Sequence, residues 1–245
     1  MKTLAIIYTK LDSDKMKSYA NNLDRFSFNI FGKNVIQYVK DALLLANIPS
    51  VLDNQVLDDT IDEYENILVV YGCIPTVSKE SIDILIKHHQ NSNNSITYQE
   101  GLFVFNKDVF KKEKDKILNN IVYAIKENLN SYQNVEEVNI VNSDDLIIIE
   151  DRVKLALASK IIQKRINTFH MLNGISIVDP NTTYIDCDVK IGNDTVIYPN
   201  TYIYNKSIIG VGCELGPNTY IKDSYVDNRM ILKNCSIENQ ILKTK

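Results

Sequence analysis

Residues 184–226 read YIDCDVKIGNDTVIYPNTYIYNKSIIGVGCELGPNTYIKDSYV, and this stretch decides the fold of the C-terminal part of the chain. An aliphatic residue falls on every sixth position, namely at Ile185, Ile191, Ile197, Ile203, Ile209, Leu215 and Ile221. Val226, Leu232 and Ile237 continue the series with two steps shortened to five. Neither the 3.6-residue period of a helix nor the two-residue period of a plain strand produces this spacing.

A period of six is typical of a left-handed parallel β-helix, in which each triangular coil has three short sides of about six residues. Glycines directly follow three of the aliphatic positions, at Gly192, Gly210 and Gly216. The turn positions between the aliphatic residues hold small or polar residues such as Thr195, Thr201, Ser207 and Thr219. We therefore predict hexapeptide coils over residues 175–245. The alternative is a β-sandwich whose strands share this spacing by accident.

The N-terminal part alternates between apolar runs and helical patterns. The apolar runs, which predict strands, cover residues 4–8, 66–72 and 101–106. The helical patterns cover residues 34–48, 78–90 and 116–129, the second of them starting at the capping residue Ser78. Alternating strands and helices favour an α/β domain with a mostly parallel sheet and helices on its faces.

Residues 151–172 form one long helical pattern between these two regions. Asp151 is an acidic residue at its start, and Asn173 and Gly174 are suited to the left-handed turn that ends a helix. The predicted organisation is therefore an α/β domain over residues 1–149, a connecting helix over residues 150–174, and a β-helix over residues 175–245.

The bulk composition excludes several classes of protein. The 245 residues are 44% hydrophobic and 24% charged, which is typical of a globular protein. A net charge of -4 without a basic cluster argues against binding to nucleic acid. No apolar run approaches the roughly 20 residues that span a bilayer. The four cysteines, Cys73, Cys187, Cys213 and Cys235, form no CxxC pair, so we expect a reduced, cytoplasmic protein.

The segment 150–223 closely resembles a family of bifunctional bacterial enzymes, the N-acetylglucosamine-1-phosphate uridyltransferases / glucosamine-1-phosphate N-acetyltransferases. That family carries N-D-R-x-x-L-A-x-A, then R-I-N-x-x-H-M, G-V-x-x-x-D-P and D-T-V-I-Y-P-N-T. The matching positions here are residues 150–152, 165–167, 170–171, 179–180 and 194–201. The resemblance implies a Rossmann-like nucleotidyltransferase-type N-terminal domain that joins UTP to a sugar phosphate with Mg²⁺. It also implies a β-helix that trimerises and acetylates glucosamine 1-phosphate.

The first loop departs from the family's pattern, L-A-A-G-x-G-T-R-M, in which glycines let the backbone approach the triphosphate. Here Tyr8 is followed by TKLDSDKMKS, and the first glycine of the chain is Gly32. Asp12 and Asp14 stand where phosphates would approach, and like charges repel. We expect this segment to be a plain surface loop.

The resemblance places five further site residues, all at vestigial positions. Arg25 falls on a phosphate-contacting lysine, and Gln99 and Gly101 fall on the asparagine and glycine of the uridine- and sugar-binding motif E-x-N-T-G. Cys73 replaces the magnesium-binding aspartate of G-D-x-P, and Glu150 replaces the asparagine that is the second metal ligand. A hard cation prefers oxygen ligands to a thiol. We therefore assign no catalytic residue and expect no cofactor.

The acetyltransferase half of the family uses a histidine base located in later coils. The three histidines here, His88, His89 and His170, all precede the repeats. We expect about three coils with no general base inside them. His170 is predicted to be structural, and His88 and His89 to be exposed at a helix end.

The expected function is that of a shortened, degenerate relative without either transferase activity. It would act as a trimeric assembly or regulatory module, as a homotrimer or in co-assembly with a full-length family member. The alternatives are a nucleotidyltransferase with a rebuilt Mg²⁺ site, using Glu150 with Asp12 or Asp14, and a module that binds a UDP-sugar without turnover. Pyrophosphate release from UTP separates the active nucleotidyltransferase from the degenerate relative, and saturable binding of a UDP-sugar without product indicates the binding module.

Overall fold

The computed structural model of the protein describes residues 2–10, 25–128, 132, 134–139 and 141–244. The chain divides into two compact units. The first contains Met1–Phe28 and Asn34–Ala158, and the second contains Asn29–Lys33 and Ser159–Lys245. The sequence instead predicts a separate segment over residues 150–174, and these boundaries stay a prediction.

Between residues 3 and 137 strands and helices alternate as predicted, and of this range residues 29–33 belong to the second unit. In chain order the elements are β1 (Thr3–Tyr8), β2 (Asn29–Ile30), β3 (Lys33–Asn34), α1 (Val35–Leu45), β4 (Ser50–Leu52), α2 (Asp58–Asp62), β5 (Asn66–Tyr71), α3 (Lys79–Ser92), β6 (Ile96–Gln99), β7 (Leu102–Asn106), α4 (Lys107–Asn119), α5 (Ile121–Asn128) and β8 (Val135–Glu137). Every residue of β1 and β5 is buried, because both strands lie in the interior of the sheet.

Six of these strands form one mixed sheet in the order β4-β1-β5-β7-β6-β8. β1 runs parallel to β4 and β5, and β6 runs parallel to β8. β7 runs antiparallel to both of its neighbours. A tight turn through Gly101, at φ 89°, joins β6 to β7 and reverses the chain. The sequence pattern predicts β7 but neither its direction nor β6.

The helix predicted over residues 116–129 is wrong as a single element. The structure has α4 and α5 there, separated by Asn120 at φ -153° and ψ 94°. The Asn120 side chain accepts a hydrogen bond from the Tyr123 N–H at 3.0 Å. Asparagine favours such caps over a helix interior, so it ends one helix and starts the next.

The second unit is a left-handed parallel β-helix preceded by most of a long helix. Its elements are α6 (Arg152–Leu172, whose first turns belong to the first unit), β9 (Ser176–Ile177), β10 (Thr183–Ile185), β11 (Lys190–Ile191), β12 (Val196–Ile197), β13 (Thr201–Tyr204), β14 (Ile208–Ile209), β15 (Glu214–Leu215), β16 (Thr219–Lys222), β17 (Tyr225–Val226), β18 (Ile231–Leu232), β19 (Ser236–Glu238) and β20 (Ile241–Leu242). They form three parallel sheets of four strands each, one for each side of the coil. Four strands on each side correspond to about four described coils rather than the three expected. The first coil includes β9, which precedes Ile185, the first residue of the six-residue series.

The predicted inward positions form the core of the β-helix. Ile197, Ile203, Leu215 and Ile221 are fully buried, and paired strands keep equivalent positions in register, for example Ile203 opposite Ile221. The six-residue period thus places one aliphatic side chain on each side of every coil, and the prediction is confirmed.

The small polar residues predicted at the turns are buried inside the coil. Thr195, Thr201, Ser207 and Thr219 are fully buried. The Ser207 Oγ donates to the Tyr204 carbonyl at 2.7 Å, and the Thr195 Oγ1 donates to the Gly210 carbonyl at 3.0 Å. Each hydroxyl fits because it satisfies a backbone carbonyl that is otherwise buried at the turn.

Asparagines stack at one corner of the coils. Asn200, Asn218 and Asn234 all have a left-handed backbone, with φ between 51° and 57°. The Asn200 side-chain amide donates to Asn218 at 3.2 Å, and that of Asn218 donates to Asn234 at 3.1 Å. Asparagine tolerates this conformation better than most residues, which explains its recurrence there.

The ends of α6 match the sequence prediction. The Asp151 Oδ1 accepts a hydrogen bond from the Lys154 N–H at 2.8 Å, and Gly174 follows the helix at φ 85°. Within the second unit, the Asn167 amide donates to the carbonyls of Pro180 and Thr183 at 2.8 and 3.0 Å. These bonds fix the helix to the first coil. Among the described residues, no helix is long and apolar enough to cross a membrane.

Candidate functional site

The candidate site lies in the first unit, at the carboxyl ends of β1 and β5. Ligands of open α/β sheets bind at this edge. The Gly72 N–H donates to the Tyr8 carbonyl at 3.0 Å, so the first residues after both strands lie side by side. Cys73, the predicted vestigial metal position, directly follows this contact.

Arg25 and Cys73, two of the predicted vestigial positions, lie near each other at this edge. Both residues are buried, and the positive charge of Arg25 lies close enough to Cys73 to act on the pKa of its thiol. Burial raises the pKa of the Cys73 thiol to about 11, although the positive charge of Arg25 acts in the opposite direction. At neutral pH the site therefore presents a neutral thiol beside a cation.

Glu150 lies next in the chain to a residue that contacts Cys73. The Ile149 N–H donates to the Cys73 carbonyl at 2.9 Å, and the Glu150 side chain is exposed. Magnesium requires oxygen ligands in a near-octahedral arrangement. A protonated thiol and a guanidinium do not supply them, and Glu150 offers a single carboxylate, so these three residues do not fit the ion. Among the described residues, no three histidine, cysteine or carboxylate side chains are grouped to hold a metal.

Gln99 and Gly101 lie at the turn between β6 and β7, and the Gln99 side chain is hydrogen bonded to other residues of the protein. Its side-chain oxygen accepts from the Val141 N–H at 2.9 Å, and its amide donates to the Val141 carbonyl and to Asn139, each at 3.2 Å. Gln99 is buried, and these bonds occupy both ends of its amide. A Cβ on Gly101 would lie 2.3 Å from the Ile74 Cδ1. Both residues thus have packing roles independent of a ligand.

A buried carboxylate that no sequence motif indicates lies at the end of β1. The Thr9 N–H and Oγ1 donate to the two oxygens of Asp53 at 3.1 and 2.8 Å. Asp53 is buried and follows β4, the parallel neighbour of β1. Its negative charge stands beside the segment that holds phosphates in the family's pattern. The proposed ligands Asp12 and Asp14 lie outside the described residues.

A second missed carboxylate lies at the start of α3. Asp145 accepts hydrogen bonds from the hydroxyls of Ser78 and Ser81. Ser78 also caps the helix as predicted, accepting from the Ser81 N–H at 3.1 Å. The serine at the start of a helical pattern was a sufficient signal for the cap, but no sequence pattern points to Asp145.

The comparisons with known proteins agree with this architecture. A family model described as bacterial transferase hexapeptide (six repeats) matches residues 188–223. The "Bifunctional protein GlmU" of Fervidobacterium nodosum is 32% identical over 229 residues, covering 76% of this chain and 51% of the relative. The protein of the same name from Caldanaerobacter subterraneus is 31% identical over 209 residues, covering 66% of this chain and 46% of the relative. The chain is a GlmU-like family member.

This GlmU-like chain spans about half the length of the curated relatives that it matches. A solved structure of a nucleotidyl transferase from Methanothermobacter covers 66% of the chain, with a TM-score of 0.52 and 13% identity. At that identity the likeness shows the fold alone. The prediction of a nucleotidyltransferase-type N-terminal fold followed by hexapeptide repeats is confirmed.

The histidines of the GlmU-like chain differ in part from the prediction. His170 is buried on α6, in keeping with a structural role, but His89 is also buried, which makes its predicted exposure wrong. The His89 ring contacts the Thr97 hydroxyl at 3.0 Å and the Asn106 side-chain oxygen at 2.9 Å. His88 is half-buried and pairs with Glu136 at 3.0 Å. All three residues therefore have partners or packing within their own unit.

Proposed function

We propose that the protein is a degenerate GlmU-like chain that lacks both transferase activities and acts as a trimeric assembly or regulatory module. The observation that carries this proposal is the Arg25–Cys73 pair at the carboxyl edge of the sheet. The family's pattern requires a magnesium-binding aspartate at this position. A buried thiol whose pKa is raised to about 11 is uncharged at neutral pH and leaves the phosphates without a metal.

The surroundings of this pair support the same proposal. Asp53 holds a negative charge at the end of β1, where a triphosphate would need positive charge or free N–H groups. The Thr9 N–H at the end of that strand donates to Asp53 rather than facing a ligand. A phosphate placed there would be repelled by Asp53, and the Thr9 N–H would not be available to donate to it.

The β-helix supports the acetyltransferase part of the proposal. Residues 175–245 contain no histidine, so these coils offer no imidazole base. The interior of the coils is filled by aliphatic side chains and hydrogen-bonded hydroxyls. What the coils do supply is a rigid prism with three parallel faces, which is suited to association with other chains.

The deciding experiment measures pyrophosphate release from UTP and N-acetylglucosamine 1-phosphate in the presence of Mg²⁺. The Fervidobacterium relative, assayed in parallel, is the positive control. We expect release by this chain to equal the background without protein. Pyrophosphate released in proportion to the protein concentration, and abolished by a chelator, would refute the loss of uridyltransferase activity.

Titration calorimetry with UDP-N-acetylglucosamine tests the binding-module alternative directly. We expect no saturable heat, with or without Mg²⁺. Saturable binding without pyrophosphate release would replace the proposed function by a UDP-sugar-binding role. Co-purification of the tagged chain with a full-length bifunctional relative tests co-assembly, and failure to co-purify would remove that partner.

A further inference from the structure

A cavity of about 510 Å³ lies in the first unit at the amino ends of β1 and β5. The Lys2 carbonyl accepts hydrogen bonds from the Glu65 and Asn66 N–H groups at 3.0 and 3.2 Å, and these bonds join the starts of the two strands. The six residues of β1, at 3.3 Å each, separate this cavity from the Arg25–Cys73 site by about 20 Å. We call it the amino-edge cavity, and the residues that define it are Lys2, Thr3, Ile48, Glu63, Tyr64 and Asp83.

The amino-edge cavity contains charges of both signs that are not paired with each other. Lys2 and Glu63 are exposed, and in the part of the chain that the structure describes neither side chain forms an ion pair. Asp83 differs from them, because it pairs with Lys79 one turn earlier in α3. An unpaired ammonium group and an unpaired carboxylate in one cavity are both satisfied by a molecule that carries one charge of each sign.

Two uncharged hydrogen-bonding groups of the same wall are also without partners. Thr3 is only 9% exposed, yet its hydroxyl forms no hydrogen bond with any described residue. The Tyr64 hydroxyl, which also lines the cavity, forms none within the described ranges either. A buried hydroxyl that finds no partner in the protein points to a ligand or a water in contact with it. Since a hydroxyl can donate or accept, these two groups suit either end of a charged ligand.

The remainder of the wall is apolar and held in place by the backbone. Ile86 of α3 is buried, and Ile48 and Pro49 follow α1. The Ile48 N–H donates to the Leu43 carbonyl at 3.0 Å, and the Pro49 carbonyl accepts from the Ala5 N–H at 2.9 Å. An apolar wall with a few polar groups is the usual lining of a site for a small molecule.

We propose that the amino-edge cavity binds a small zwitterion, namely a free amino acid with an apolar side chain. Lys2 binds its carboxylate, Glu63 binds its ammonium group, and the surface formed by Ile48 and Ile86 contacts its side chain. A simple anion would satisfy Lys2 but would be repelled by Glu63. The inference goes beyond the proposed function and does not rest on it, because no residue of the Arg25–Cys73 site takes part.

Titration calorimetry of the full chain with L-leucine tests this proposal, and two analogues of similar shape serve as control ligands. 4-Methylpentanoate lacks the ammonium group, and 3-methylbutylamine lacks the carboxylate. We expect saturable binding of L-leucine and binding of each analogue that is weaker by about tenfold or more, since each loses one charge-assisted contact. If either analogue binds as tightly as L-leucine, the site recognises a simple anion or a simple cation and the proposal is wrong.

Variants of the wall locate the binding. Lys2→Gln and Glu63→Gln should each weaken the binding of L-leucine by about tenfold, and Thr3→Val, which removes only the hydroxyl, by about fivefold. Glu80→Gln and Lys160→Gln remove exposed charges of residues that do not line the cavity and should change the affinity by less than about twofold. Absence of saturable binding, or binding that Lys2→Gln and Glu63→Gln leave unchanged, would overturn the proposal. None of these outcomes bears on pyrophosphate release.

Discussion

At the scale of single residues, His89 shows how burial fixes a protonation state. Its ring lies between the Thr97 hydroxyl and the Asn106 side-chain oxygen. Because that oxygen can only accept, the Nε2 carries the proton and donates, while the Nδ1 accepts from Thr97. Burial lowers the pKa of His89, although its bond to Asn106 acts in the opposite direction. The neutral ring is thus the form that the fold requires.

We therefore predict that His89 contributes stability that is lost on acidification. Its pKa is lower in the folded than in the unfolded chain, so the contribution is complete above the unfolded value, about 6.5, and falls as the pH drops below it. Histidine-ring NMR should place the pKa of His89 below 6.5. The His89→Gln variant, which keeps a donor and an acceptor but does not titrate, should lose less stability between pH 7 and pH 5 than the wild type.

His88→Gln is the matched control for this measurement. It removes the neighbouring, half-buried histidine that pairs with Glu136, and it should leave the resonances of His89 titrating at low pH. A folded-state pKa of His89 above 6.5 would contradict the prediction.

At the scale of elements, the β-helix is predictable and the mixed sheet is only partly so. The six-residue period sets the fold because each coil repeats the same inward positions, such as Ile203 and Ile221. The direction of β7 in the first unit depends on the turn at Gly101, and no periodic pattern in the sequence indicates that the chain reverses there. The family's motifs assign Arg25 and Cys73 to the site, but their proximity and the Thr9–Asp53 contact depend on the folded sheet and could not be read from the chain.

The break between α4 and α5 gives a test at the same scale. Asn120→Ala removes the side-chain oxygen that caps Tyr123 and favours one continuous helix in place of two. We expect the free energy of unfolding to fall by about 1 kcal/mol, the usual effect of losing such a cap. Urea denaturation should show a lower midpoint with an unchanged slope.

Asn119→Ala provides the control, since the Asn119 side chain is exposed and caps no N–H among the described residues. Its effect should stay within about 0.5 kcal/mol. If both variants have the same stability, the Asn120 cap does not stabilise the break between α4 and α5.

At the scale of the whole molecule, the three faces of the β-helix are chemically different. On one face the outward positions of β14, β17 and β20 are apolar and aligned in register: Ile208, Tyr225 and Ile241. They are 43%, 38% and 70% exposed. On a second face, Glu214 forms an ion pair with Lys233 at 3.4 Å. A row of exposed apolar side chains loses contact with water when chains associate, which makes the first face the better one for assembly.

Sedimentation analysis should therefore give a mass near three times the 28.0 kDa of one chain. Tyr225→Asp and Ile208→Glu each place a charge in the aligned row, where association would bury it, and should shift the population to the mass of one chain. Ile231→Glu adds the same kind of charge at a position that is 61% exposed on the second face and should leave the mass unchanged.

A wild-type mass of 28.0 kDa at micromolar concentration would rule out the trimer, and dissociation by Ile231→Glu alone would move the interface to the second face. Circular dichroism of each variant separates dissociation from unfolding, since dissociated chains should keep their strand signal.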